Sequence, residues 1–157
     1  MDANIFMQAA RKYYSFDFAK PFWDALVNFA HQGRIVSIDK VYNEIMRGND
    51  KLKDWADSDF KEFFHPTHNI IPVVEHYASL VYWVEAEIQF KPLAVKSFLE
   101  DENADAWVIA YAKLHKLTLV TSENNSKGEI PIPTVCNEFN IRCIDTFVML
   151  KELNFSF

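Results

Sequence analysis

The sequence predicts an α/β fold built on a small parallel sheet flanked by helices. Two observations carry this. Helical apolar stripes alternate along the chain with short apolar runs, and those runs lack the in–out alternation of half-exposed strands. Only three glycines occur in 157 residues, which argues against a chain dominated by tight turns.

Taken in order, Phe18, Phe22, Leu26 and Phe29 form a helical stripe over 17–32. Asp17 is placed to cap it, Pro21 falls in its first turn, and Gly33 stands where a helix terminates. Residues 34–38 form a β-type run. Asp39 then opens a helix bearing Val41, Tyr42 and Ile45, which Gly48 ends. A charge-rich helix is expected over 50–64, and His65-Pro66-Thr67-His68 breaks it. The stripe Val73, Tyr77, Leu80, Val81, Val84 and Ile88 predicts a helix over 72–88, with a shorter one after Pro92. Helix 104–116 leads into a buried strand at 117–121. A polar loop, a short helix at 134–140, a strand at 141–144 and a helix over 145–153 capped by Asp145 complete the chain. No linker or repeat interrupts it, so 1–157 reads as one domain.

Composition narrows the function. Neither GxGxxG nor GxxxxGK[ST] occurs, which argues against a nucleotide-cradling loop, and no GxSxG marks a serine nucleophile. The formal net charge of −6 counts against simple nucleic-acid binding. It counts less against a nuclease, whose acidic metal site contributes several of those charges itself. Cys136 and Cys143 lack CxxC spacing and fit a reducing compartment. No leader peptide and no membrane-spanning run is evident, so a cytoplasmic protein is expected. His65 and His68 are separated by Pro66 with no third ligand in view.

Four carboxylates carry the chemical signal: Asp2, Glu44, Asp105 and Glu123, each at the edge of an apolar element. Taken singly, each has an ordinary explanation. Asp105 suits a helix N-terminus electrostatically, Glu44 is a solvated surface acid, Asp2 a terminal residue, and Glu123 a loop residue. Yet Asp105 shares a helical face with Val108, Ile109 and Ala112, where a carboxylate needs a partner. Glu44 stands near a helix C-terminus, the wrong end for an acid. Glu123 follows the strand at 117–121, where sites of parallel sheets form. Gathered together, such acids favour a hard divalent cation with oxygen ligands. The aromatic cluster Tyr13, Tyr14, Phe16, Phe18, Phe22 and Trp23 reads chiefly as core and rim, with stacking on unpaired bases the alternative.

The four settings in order resemble the PIN-like superfamily. Asp2-Ala3-Asn4 is similar to its first acidic motif, and Glu44-Ile45-Met46-Arg47-Gly48 to its second. Ala104-Asp105-Ala106-Trp107 resembles the third, and Thr121-Ser122-Glu123 the fourth. Phe22-Trp23-Asp24, the run 33–38 and Ile132-Pro133-Thr134-Val135-Cys136 resemble a bacterial branch of unassigned function allied to VapC-type toxins.

The resemblance implies a three-layer sandwich and a metal-dependent endoribonuclease, the toxin of a toxin–antitoxin pair. Asp2, Glu44, Asp105 and Glu123 would hold one or two Mg²⁺ or Mn²⁺ ions. Asn4, Thr121, Ser122 and Asn124 would support them, with Arg11, Lys12 and Arg47 at the RNA-binding rim. It further implies a protein antitoxin as partner and a homodimer, with helices 50–64 and 72–88 supplying the apolar interface. A catalytically inactive PIN-like binding module and a structure-specific DNA nuclease are the alternative expectations. Two departures stand out. Ala3 replaces the usual hydroxyl residue, and only Met1 precedes Asp2 where the central strand belongs. The first strand therefore reads as truncated, with the expectation of an upstream start or of a sheet gap flanked by unpaired backbone groups.

Overall fold

The computed structural model describes residues 1–122 and 128–157. It is a mostly helical α/β structure with two small two-stranded parallel sheets. The chain opens with α1 (Ala3–Gln8), which runs into a π-helical turn at Ala9–Tyr13. Next come α2 (Lys20–His31), β1 (Ser37–Ile38), α3 (Asp39–Met46) and α4 (Lys51–Ser58). A 3₁₀ turn at Lys61–Phe63 leads to β2 (Phe64–His65), then α5 (Ile71–Ala86), α6 (Pro92–Phe98) and α7 (Asp105–His115). Finally β3 (Leu119–Val120), α8 (Ile132–Glu138), β4 (Cys143–Ile144) and α9 (Thr146–Glu152) close the fold.

Local chemistry accounts for the boundaries. Asp50 accepts a hydrogen bond from the Lys53 amide and starts α4; Asp145 accepts from the Val148 amide at 2.9 Å and starts α9. Gly33, at φ +70°, ends α2, with the Arg34 amide reaching back to the Phe29 carbonyl. Asp39 does not cap α3 but sits in its first turn. Its carboxylate accepts from the Lys40 and Thr67 amides and the Thr67 hydroxyl, tying α3 to the loop after β2.

β1 pairs with β2 in parallel, Ser37 opposite Phe64 and Ile38 opposite His65. β3 pairs with β4 in parallel, Leu119 opposite Cys143 and Val120 opposite Ile144. Met1 and Asp2 lie between the two pairs. The Met1 amino group donates to the Val36 carbonyl at 2.8 Å, and the Asp2 amide donates to the Val120 carbonyl at 3.0 Å. The Ser37 hydroxyl donates to the Met1 carbonyl at 2.7 Å. The expected gap is thus bridged by two residues. Beside Met1 a cavity of about 290 Å³ lies between the flanking edges, lined by Ile35, Val36, Val108, Leu117, Leu119 and Ile144 among others.

The core wraps this assembly. α5 packs along α7, with Val73, Leu80 and Val84 buried and Tyr77 stacked on Trp107 at 4.0 Å. Phe6 of α1 meets Trp55, Phe60 and Phe64, while Trp23 meets Phe16 and Trp55. Three sequence expectations are corrected. Phe18 is 78% exposed, because α2 begins only at Lys20 and leaves Phe18 in the preceding turn. Ile88 lies beyond the end of α5 and is exposed. The helix expected to reach residue 64 ends at Ser58, and Phe64–His65 joins a sheet instead. Among the described residues no helix is long and apolar enough to cross a membrane.

Candidate functional site

The carboxyl ends of the strands define the site, as parallel pairing predicts. Asp2 stands where the two-residue link between the sheets turns into α1. It is 0% exposed. One carboxylate oxygen, Oδ2, accepts from the Thr121 hydroxyl at 3.0 Å; the other, Oδ1, is buried with no hydrogen-bond partner. Burial pushes this carboxyl above the usual carboxylate range. The Thr121 hydroxyl, the Met1 amino group and the nearby Ala3 and Asn4 amides pull it the other way. Those two amides close no capping hydrogen bond to the side chain.

Glu44 projects from the last turn of α3. Its Oε1 accepts from the Ala104 amide at 2.8 Å, which anchors it to the start of α7. Burial raises this carboxyl too; the charge of Asp2 adds to the rise, while the Ala104 amide and Arg47 oppose it. Two acids are therefore held close enough to feel each other, in surroundings that disfavour their charged forms.

Asp105 is the first residue of α7 and is half-buried. Its amide donates to the Asn103 side chain at 2.8 Å, so Asn103 acts as the local cap. Asp105 and Glu44 open on one polar cleft of about 380 Å³, together with Asn4, Arg47, Glu102 and Glu129. Asp2 does not line that cleft. Arg47 donates to the Glu102 carbonyl at 2.9 Å and so closes one wall.

Of the residues singled out in the sequence, the structure brings Asp2 and Thr121 into direct contact. It sets Glu44, Asp105 and Asn4 around the cleft. Ser122 instead lines a second pocket beside α1, where its hydroxyl is buried without a partner among the described residues. Glu123 and Asn124 lie outside the described residues. Glu100, Glu102 and Asn103 were not anticipated, although the acidic run 100–102 just before Asp105 was visible as a signal.

The donor set is all oxygen, which suits Mg²⁺ or Mn²⁺ rather than a thiophilic metal. The unpartnered Asp2 Oδ1 fits an absent positive ligand. Among the described residues, however, no three His, Cys, Asp or Glu side chains converge as a group able to hold a metal ion.

Fold and site together define a mostly helical α/β protein with an acidic cleft between the end of α3, α6 and the start of α7. Over residues 1–157 the chain belongs to the family described as a domain of unknown function, DUF4411. No curated protein matches it, and no solved structure does.

Proposed function

We propose that this chain is a PIN-like, Mg²⁺- or Mn²⁺-dependent endoribonuclease, acting in the cytoplasm as the toxin of a toxin–antitoxin pair. The observation that carries the reading is Asp2. It is a fully buried carboxylate with one unpartnered oxygen, close enough to Glu44 to raise it, at the edge where parallel sheets form their sites. The arrangement of parallel pairs around Met1–Asp2 supports a PIN-like sheet order, with the central strand reduced to those two residues.

In this reading Asp2, Glu44 and Asp105 would hold the cation, joined by Glu123, which lies outside the described residues. When bound, a divalent ion acidifies its water and offsets charge developing on the phosphodiester. Thr121 orients Asp2, the Ala104 amide orients Glu44, and Asn103 fixes the start of α7 and with it Asp105. Exposed apolar residues on α5, among them Ile71 and Tyr82, suit the homodimer or antitoxin surface that the resemblance implies.

A second reading is a PIN-like binding module without catalysis. The absence of a three-ligand cluster among the described residues favours it. The test is Mn²⁺-dependent cleavage of a panel of RNA and single-stranded DNA, beside Asp105→Asn, with Mn²⁺ binding followed by calorimetry. RNA cleavage lost in the variant supports the nuclease; absence of both cleavage and Mn²⁺ binding supports the module.

A further inference from the structure

A smaller pocket of about 190 Å³ is also lined by α1. Its walls include Ile5 and Gln8 of α1, Tyr13 of the π-helical turn, Ser122, and Asp145 and Phe147 at the start of α9. We propose that this pocket is a subsite for one unpaired nucleobase of a single-stranded RNA, held against the Tyr13 and Phe147 rings. The inference rests on the reading of the chain as an RNA-acting protein and names how that RNA is gripped.

Four observations converge. First, Tyr13 and Phe147 are 53% and 62% exposed, yet their rings meet edge to face at 6.1 Å. Large aromatics displayed in this way are what unpaired bases stack on. Tyr14 continues the wall and is itself fixed by stacking on Phe22 at 4.1 Å, so the platform is anchored to the core.

Second, the pocket contains an unanswered hydrogen-bonding group. The Ser122 hydroxyl is buried and has no partner among the described residues, although a hydroxyl can both donate and accept. The Gln8 amide lies on the same wall. A base edge carries complementary donors and acceptors; an aliphatic side chain does not.

Third, two cations adjoin the platform in sequence although the whole chain is acidic, while Asp145 in the lining already accepts from the Val148 amide. Arg11 and Lys12 precede Tyr13 on the π-helical turn, and both are exposed. Neither belongs to an ion pair among the described residues. π-helical turns recur at functional positions.

Fourth, the pocket adjoins the acid site along the chain. Ser122 follows Thr121, which holds Asp2, and α1 supplies lining residues to both pockets, Asn4 to the acidic cleft and Ile5 and Gln8 to this one.

The test is fluorescence-anisotropy binding of a labelled single-stranded RNA octamer of mixed sequence, in chelator so that cleavage plays no part. Tyr13→Ala and Phe147→Ala should each weaken binding about tenfold. Tyr13→Phe and Phe147→Tyr, which keep the rings, should restore it. Phe18→Ala, which removes an exposed aromatic outside this pocket, should leave it unchanged. A blunt-ended RNA duplex of the same sequence should bind more weakly and ignore Tyr13 and Phe147. Circular dichroism verifies that the alanine variants fold. If the octamer binds equally with and without the two rings, or does not bind, the subsite is refuted. The nuclease reading is judged separately, by cleavage in Mn²⁺. Ring-dependent binding without cleavage upholds the subsite and removes the catalysis.

Discussion

Replacing Asp2 by Asn separates the stability of this protein from its chemistry. The carboxylate is 0% exposed, and one of its oxygens is buried without a partner. Asn keeps an oxygen for the Thr121 hydroxyl and removes the desolvated charge. An unsatisfied buried polar group costs about 1–3 kcal/mol, more if charged. The amide's own unpaired donor takes back part of the gain. Asp2→Asn should therefore raise the unfolding free energy at pH 7, in chelator, by about 1–2 kcal/mol.

The pH dependence identifies the cause. The folded-state pKa of Asp2 is raised above its ordinary value of 3.8. Between that value and the raised one, the folded protein binds more protons than the unfolded chain. This group's contribution to stability is then greatest below pH 3.8 and declines as the pH rises through the raised pKa, beyond which it is constant. The advantage of the variant should be widest at neutral pH and shrink on acidification. Excess Mn²⁺ should reverse the order. At a free concentration 100 times Kd, wild type gains about 2.7 kcal/mol, and the variant much less. Urea unfolding followed by tryptophan fluorescence from pH 4 to 8, with chelator and with Mn²⁺, measures all of this. A variant less stable than wild type at every pH, by a constant amount, would refute the reasoning. Asp2 would then be well satisfied in the folded state.

Three further perturbations test other parts of the structure. Glu44→Gln should weaken Mn²⁺ binding at least tenfold in calorimetry and abolish cleavage, because it keeps the side-chain oxygen facing the Ala104 amide but removes the charge. Thr121→Val should lower cleavage and cost about 1 kcal/mol in urea unfolding, since the Asp2 carboxylate loses the Thr121 hydrogen bond while the volume is kept. Phe6→Ala empties a fully buried site among Trp55, Phe60 and Phe64 and should cost about 3–5 kcal/mol, read as a fall in the urea midpoint at unchanged slope.

The sequence made the helices legible where a stripe and a boundary residue agreed. The Val73–Leu80–Val84 stripe of α5, the glycine after α2 and the aspartate before α9 are all of this kind. What it could not display was pairing between distant segments. Phe64–His65 has strand character only because Ser37–Ile38 lies beside it, and nothing local distinguishes it from the end of a helix. The same limit shortened the strands: residues 34–38 and 117–121 read as continuous runs, yet among the described residues only Ser37–Ile38 and Leu119–Val120 of them form a ladder. At the candidate site, residue chemistry and position relative to the elements pointed to Asp2, Glu44, Asp105 and Glu123, the last outside the described residues, while Thr121 entered only through the resemblance. The placing of Ser122 in a separate pocket was invisible, because side-chain direction just beyond a strand depends on backbone geometry that composition does not encode.

The link between the two sheets gives Asp2 a second significance. On one side it is joined through the Met1 contacts with Val36 and Ser37, on the other through single bonds from Asp2 to Val120 and from Thr121 to Asp2. α7 spans the same interval, touching both β1 and β3. The seam is therefore the place where local opening should begin, and its amides should exchange with solvent faster than those of α5 and α7. A ligand drawing Asp2 toward Glu44 would fasten the first residues of α1 to the end of α3 and slow that breathing. Occupancy of the acid pair would be legible in deuterium uptake at the seam, without any turnover of substrate.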